Sequence, residues 1–89
     1  MPEHTYQGWP SYETWLAYTW LSNDPLLDAT CTLLACDAAS TREAADELAD
    51  FVEELLPLET AGLATDLLRA SLHAVQWEQI AQHYREGKL

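Results

Sequence analysis

A row of carboxylates in the stretch TREAADELADFVEELLP, residues 41–57, is the part of this sequence best suited to chemistry. Six acids recur there at i, i+3, i+4, i+7, i+10 and i+11: Glu43, Asp46, Glu47, Asp50, Glu53 and Glu54. This spacing places them on one face of an α-helix, with an acidic cluster at each turn, about 5 Å apart along the axis. Such a row predicts a docking surface for a basic partner.

The same row suggests mimicry of a nucleic acid. Phosphates on one strand follow each other at a similar order of distance, with a rise of about 3.4 Å per nucleotide. Arg42 is the one base next to the row, although ordinary surface helices alternate acids with Lys and Arg. Two other interpretations stay open: a merely solvated face, and a chain adapted to high salt.

Catalytic and metal-binding patterns are missing from the sequence. His4, His73 and His83 lie far apart and form no H-E-x-x-H pair. No G-x-S-x-G segment, Gly-rich phosphate loop or EF-hand loop occurs. We therefore expect no enzyme activity, no metal site and no cofactor.

The charge balance limits the classes of partner. Fifteen acidic residues against four basic ones give a net charge of −11 over 89 residues. Direct binding of nucleic acid requires clusters of Lys and Arg, and so does binding to anionic membranes. The composition excludes both and favours a basic protein surface.

Location and redox chemistry follow from a few features. The start, MPEHTYQGWP, lacks the basic and apolar regions of a signal peptide, and no apolar run reaches the ~20 residues of a membrane span. Cys31 and Cys36 lie roughly 140° apart around a helix, so they should not pair and are interpreted as small buried residues. We therefore expect a soluble cytoplasmic protein.

Five helices must position these residues. Ala, Leu, Glu and Asp dominate, and turn signals separate the helical stretches. The predicted helices run from Tyr12 to about Ser22, from Pro25 to about Ala38, from Ser40 or Thr41 to the stop at Pro57, from Thr60 through Val75, and from Trp77 to about Glu86. The prediction is one all-α domain over residues 1–89, a compact bundle with an irregular segment at residues 1–10.

The first helix, in SYETWLAYTWLSNDP, is apolar nearly all round, with Glu13 as its charged residue. A helix of this kind is typical of a buried position. We therefore expect it at the centre of the bundle, with Trp15 and Trp20 inside and Trp77 and Ile80 packed nearby. Trp9 should either cover the core as a lid or face a partner.

The block Tyr12-Glu13-Thr14-Trp15, with Trp20-Leu21 and Asn23-Asp24, resembles a signature of short acidic proteins of phages and mobile elements. Val75-Gln76-Trp77 with Ile80-Ala81 is similar to the end of the same pattern. The resemblance covers about half the chain. It implies a genomic neighbourhood in which small acidic proteins often inhibit host defence, as anti-CRISPR and antirestriction proteins do. Glu13 and Asp24 match the signature as a first-turn acid and a cap.

The leading hypothesis is a small α-helical inhibitor of a host defence nuclease complex that occupies a basic, nucleic-acid-binding groove. The acidic row would carry the binding, and four further acids would extend its field: Asp28, Asp37, Glu59 and Asp66. The alternative is a regulatory or structural interaction module that binds its partner, or a second copy of itself in a homodimer, through an exposed aromatic patch. The anchors of that patch would be Trp9, Tyr6 and Tyr84. A third option is a subunit or accessory factor of an enzyme.

Overall fold

The computed structural model describes residues 7–56, 58 and 61–87. Over this part of the chain the protein is all-α, as predicted. Its helices are α1 (Tyr12–Asn23), α2 (Pro25–Asp37), α3 (Thr41–Leu55), α4 (Leu63–Ala74) and α5 (Trp77–Glu86).

Local capping fixes the starts of the first three helices. The Ser11 hydroxyl accepts from the Thr14 backbone N–H, and the Ser40 hydroxyl accepts from that of Glu43. The Asp24 carboxylate accepts from the N–H groups of the second and third residues of α2, directly after Pro25. These contacts satisfy backbone donors that have no partner within the helix, so short side-chain signals suffice to set the boundaries.

The start of α4 differs from the prediction. Thr60 lies outside the described residues, and α4 begins at Leu63 after Gly62. Gly62 has φ +152°, a backbone conformation that residues other than glycine rarely adopt. The turn at Gly62 therefore separates α4 from the segment before it.

The core forms mainly where α3 packs on α5 and α2. Leu48, Ile80 and Cys31 are fully buried there, and the small residues Ala44 and Ala81 let the helices approach closely. Trp77 packs against this core, to which Ile80 belongs. The burial is possible because α3 and α5 each separate an apolar face from a polar one.

The prediction that α1 is the central helix with Trp20 inside is wrong. Trp20 is 71% exposed and Tyr12 is 48% exposed, while Trp15 is half-buried. The buried residues of α1 are Thr14 and Leu21. The large side chains of α1 surround its axis, so its contacts with α2, α4 and α5 leave some of them in solvent.

Thr14 joins the two ends of the fold. Its side chain is completely buried, and its hydroxyl oxygen accepts from the Gln76 backbone N–H at 2.9 Å, at the start of α5. The same hydroxyl bonds the Ser11 hydroxyl at 2.8 Å. The two separated halves of the signature described above thus meet at one junction.

Thr14→Val should lower the free energy of unfolding by about 1–3 kcal/mol, because it keeps the side-chain shape but leaves the Gln76 N–H without its acceptor. The Gln76 amide proton should also exchange with solvent faster. Thr14→Ser is the matched control, because it retains the hydroxyl. Urea denaturation and amide exchange by NMR measure both effects, and equal exchange rates in the two variants would refute this role of the hydroxyl.

Candidate protein-binding surface

The acidic row lies on the outer face of α3. Glu43, Asp46, Asp50, Glu53 and Glu54 are exposed, and Glu47 is half-buried. The opposite face of α3 holds four buried residues, Ala44, Ala45, Leu48 and Val52. The six acids share one face of this helix, as predicted, and Leu55 at the helix end is 49% exposed.

In the described part of the chain, two basic side chains are turned toward backbone carbonyl groups. The Arg85 guanidinium donates to the Ala35 and Ala38 carbonyls at 2.8 and 2.9 Å, at the C-terminal end of α2. The Arg69 guanidinium donates to the Leu58 carbonyl at 2.8 Å. A cation is favourable at a helix C-terminus, where the helix dipole is negative. These arginines therefore serve the fold, and the row keeps Arg42 as its neighbouring base.

The acids expected to extend the field do not all point outward. Asp37 and Asp66 are exposed, and Glu59 lies outside the described residues. Asp28 is half-buried, and its carboxylate accepts from the Tyr84 hydroxyl at 2.9 Å. Asp28 thus has a structural hydrogen bond to α5, and its role in an outer field stays a prediction.

Among the described residues, the aromatic anchors of the alternative hypothesis, Trp9 and Tyr84, do not form an exposed patch. Tyr84 is only 6% exposed, because it packs in the core and donates to Asp28. Trp9 is half-buried, with its ring centroid 4.8 Å from that of Tyr18 and 5.4 Å from that of His83. Tyr6 lies outside the described residues. Trp9 therefore covers the bundle as a lid, one of its two predicted roles.

Tyr18 and His83 support this lid. The Tyr18 hydroxyl and His83 Nε2 lie 2.9 Å apart and hydrogen-bond each other. The ring of His83 also meets Tyr18 edge-on, with centroids 4.7 Å apart. The contact joins α1 to α5 beneath Trp9, so His83 has a structural role in the packing of these helices.

Burial shifts two ionisable groups toward their neutral forms. Burial, with the negative charge of Asp28 as a second cause, raises the pKa of the Cys31 thiol to about 11. Burial also raises the pKa of Tyr84, and the hydrogen bond to Asp28 acts in the same direction. Thiolates rather than thiols are nucleophiles, so Cys31 is inert at neutral pH. Both cysteines are free; Cys31 is buried as predicted, but Cys36 is exposed.

Sequence reasoning missed an apolar groove between α1, α3 and α4. Its volume is about 410 Å³, and Trp20, Leu16, Leu55 and Leu68 are among its lining residues. Glu13 is the one charged side chain among the described residues that line it. The absence of a single apolar face on α1 was the available signal, because such a helix leaves large side chains uncovered wherever no neighbouring helix packs against it.

A protein-family model described as a family of unknown function, DUF7249, matches residues 2–86 of the chain. The chain belongs to this family. The DUF7249 match spans all five helices, so it includes the acidic row, the apolar groove and the Thr14 junction. No curated protein and no solved structure matches the chain.

Two further findings concern the described part of this DUF7249 chain. No group of three or more His, Cys, Asp or Glu residues there is arranged to hold a metal ion. Within the same residues, no helix combines the length and the apolar composition that a membrane crossing requires.

Proposed function

We propose that this DUF7249 protein is a binding protein without enzymatic activity that inhibits a host defence nuclease complex, such as a CRISPR effector or a restriction enzyme. In this proposal the acidic face of α3 docks on a basic groove that otherwise holds nucleic acid. The protein would act in the host cytoplasm and would need no cofactor.

The exposure of the acidic row, with few bases to neutralise it, carries the proposal. Five of its six carboxylates face solvent along one rigid helix, while Arg69 and Arg85 are held by backbone carbonyls. The negative field of the row is therefore available to a partner. Complementary fields steer association and raise its rate, most strongly at low ionic strength.

Two observations support the kind of target and the absence of catalysis. The signature around Tyr12 and Trp15 resembles that of phage and mobile-element proteins, which favours a host defence target. The raised pKa of the Cys31 thiol and the hydrogen bond from the Tyr84 hydroxyl to Asp28 favour packing roles for these two side chains rather than catalytic ones. The alternative homodimeric module is less well supported, because its anchor Tyr84 is buried and Trp9 is half-buried against Tyr18.

The test is to identify the partner by copurification from host lysate and then to measure how salt and nucleic acid affect the isolated complex. We expect the affinity to fall as the Debye length drops from ~10 Å at 0.1 M salt to ~3 Å at 1 M. The partner's own nucleic-acid substrate should compete for the same groove. A complex that persists at about 1 M salt, or one that binds nucleic acid simultaneously, would contradict mimicry.

A further inference from the structure

The apolar groove between α1, α3 and α4 is built from large side chains that the fold leaves uncovered. Trp20 is 71% exposed and Leu55 is 49% exposed, and both line it beside Leu16 and Leu68. Contiguous exposed apolar surface mostly marks a binding site in a soluble protein. The volume of about 410 Å³ is large enough to receive several side chains of a partner.

α4 is the incompletely packed wall of this groove. Thr65 is its one buried residue among Leu63–Ala74, and its main packing partner is α1. Leu68 and Leu72 line the groove from α4 and are half-buried. The groove thus lies between helices, a setting that accommodates a further helix.

The charges around the groove define the chemistry of its occupant. Glu13 lies in its wall, and Leu55 directly follows Glu53 and Glu54, both exposed. Arg69, which follows Leu68, donates its guanidinium to the Leu58 carbonyl. Carboxylates therefore accompany the apolar lining, and the whole chain carries −11. A second copy of the chain would bring the same negative charge and be repelled.

We propose that this groove binds a basic amphipathic helix of a partner protein. Large apolar side chains at i, i+3 or i+4, and i+7 of that helix would pack against Trp20 and Leu68, as in other helix-in-groove complexes. Its flanking Lys or Arg residues would pair with Glu13 and with the acids at the end of α3. The inference does not depend on nucleic-acid mimicry, because Asp46 and Asp50 do not line the groove.

The test uses fluorescein-labelled helical peptides of about 18 residues, or five turns, and the full chain. One peptide carries Leu on one face and Lys on its flanks, a second has Glu in place of Lys, and a third is a scrambled version of the first with the same charge. Fluorescence anisotropy gives the dissociation constants. The Lys-flanked helix should bind at least about tenfold more tightly than both others, because only it combines the apolar stripe with a complementary charge.

Two protein variants locate the binding site. Trp20→Ala should weaken binding of the Lys-flanked helix about tenfold or more, since aromatic anchors dominate such interfaces. Leu67→Ala is the matched control: Leu67 is an apolar residue of α4, is 59% exposed, does not line the groove, and its loss should leave the affinity unchanged. Circular dichroism melting curves of both variants verify that they fold like the parent.

The remaining outcomes overturn the inference. Equal binding of the scrambled peptide would mean general charge attraction, and preference for the Glu-flanked helix would mean an occupant of opposite charge. Absence of binding, an unaffected Trp20→Ala variant, or a dimer in sedimentation analysis that Trp20→Ala dissociates would each refute a basic-helix site. An Asp46→Asn/Asp50→Asn variant should keep its affinity for the Lys-flanked helix even if the proposed target of the acidic row proves wrong.

Discussion

Leu48→Ala is expected to lower the free energy of unfolding by about 2–5 kcal/mol. Leu48 is fully buried: the relative solvent exposure of its side chain is 0%, and it lies in the same core cluster as Ile80 and Cys31. Truncation removes buried apolar area and leaves a cavity among helices that cannot fully close it. Since small domains are stable by only about 5–15 kcal/mol, the variant should be largely unfolded at moderately raised temperature.

Leu33→Ala provides the matched control for this core substitution. Leu33 is 63% exposed on α2, so the same chemical change should alter the free energy of unfolding by about 0.5 kcal/mol or less. Trp20→Ala should behave like the control, because Trp20 lies mostly in solvent. Urea denaturation of the three variants tests the assignment of the core. Equal losses at Leu48 and Leu33, or a larger loss at Trp20, would show that the core lies elsewhere.

Neutralising the acidic row should abolish most partner binding with little effect on folding. The variant replaces Asp46 and Asp50 by Asn, and Glu47 and Glu53 by Gln, which changes the net charge from −11 to −7 by removal of four negative charges. Relief of repulsion along α3 should leave the stability unchanged or slightly raised. The association rate with the partner should fall most, because steering depends on the summed field. Reversal of these four residues to Lys should eliminate binding.

A second variant with the same net charge separates the row from the charge of the whole chain. It neutralises four exposed acids outside α3, namely Asp37, Asp66, Glu78 and Glu86. This variant should lose far less affinity, and Arg42→Ala should bind as well as the parent or slightly better. Association kinetics and melting temperatures are measured on all variants. If the row variant binds the partner as tightly as the parent does, or no less tightly than the charge-matched variant, the row is only a solvated face.

Short-range signals in the sequence determined where the first three helices begin and how α3 is divided into an acidic face and an apolar face. Ser11, Asp24-Pro25 and Ser40 each act within a few residues along the chain, where side chains bond the free N–H groups of the next helical turn. The 3.6-residue period likewise decided which residues of α3 share a face. These features depend on neighbours in sequence, so the all-α fold and the exposed acids could be predicted without the packing.

Only the tertiary structure decided which apolar residues are buried and which charges are free. The pattern of apolar residues along α1 does not predict that neighbouring helices cover Thr14 and Leu21 and leave Trp20 in solvent. Tyr84 meets Asp28 across 56 residues of sequence, and Tyr84 lies in the core rather than at the surface predicted for it. The apolar groove has the same origin: α1, α3 and α4 are each specified locally, but the space between them depends on side-chain volumes brought together from distant parts of the chain.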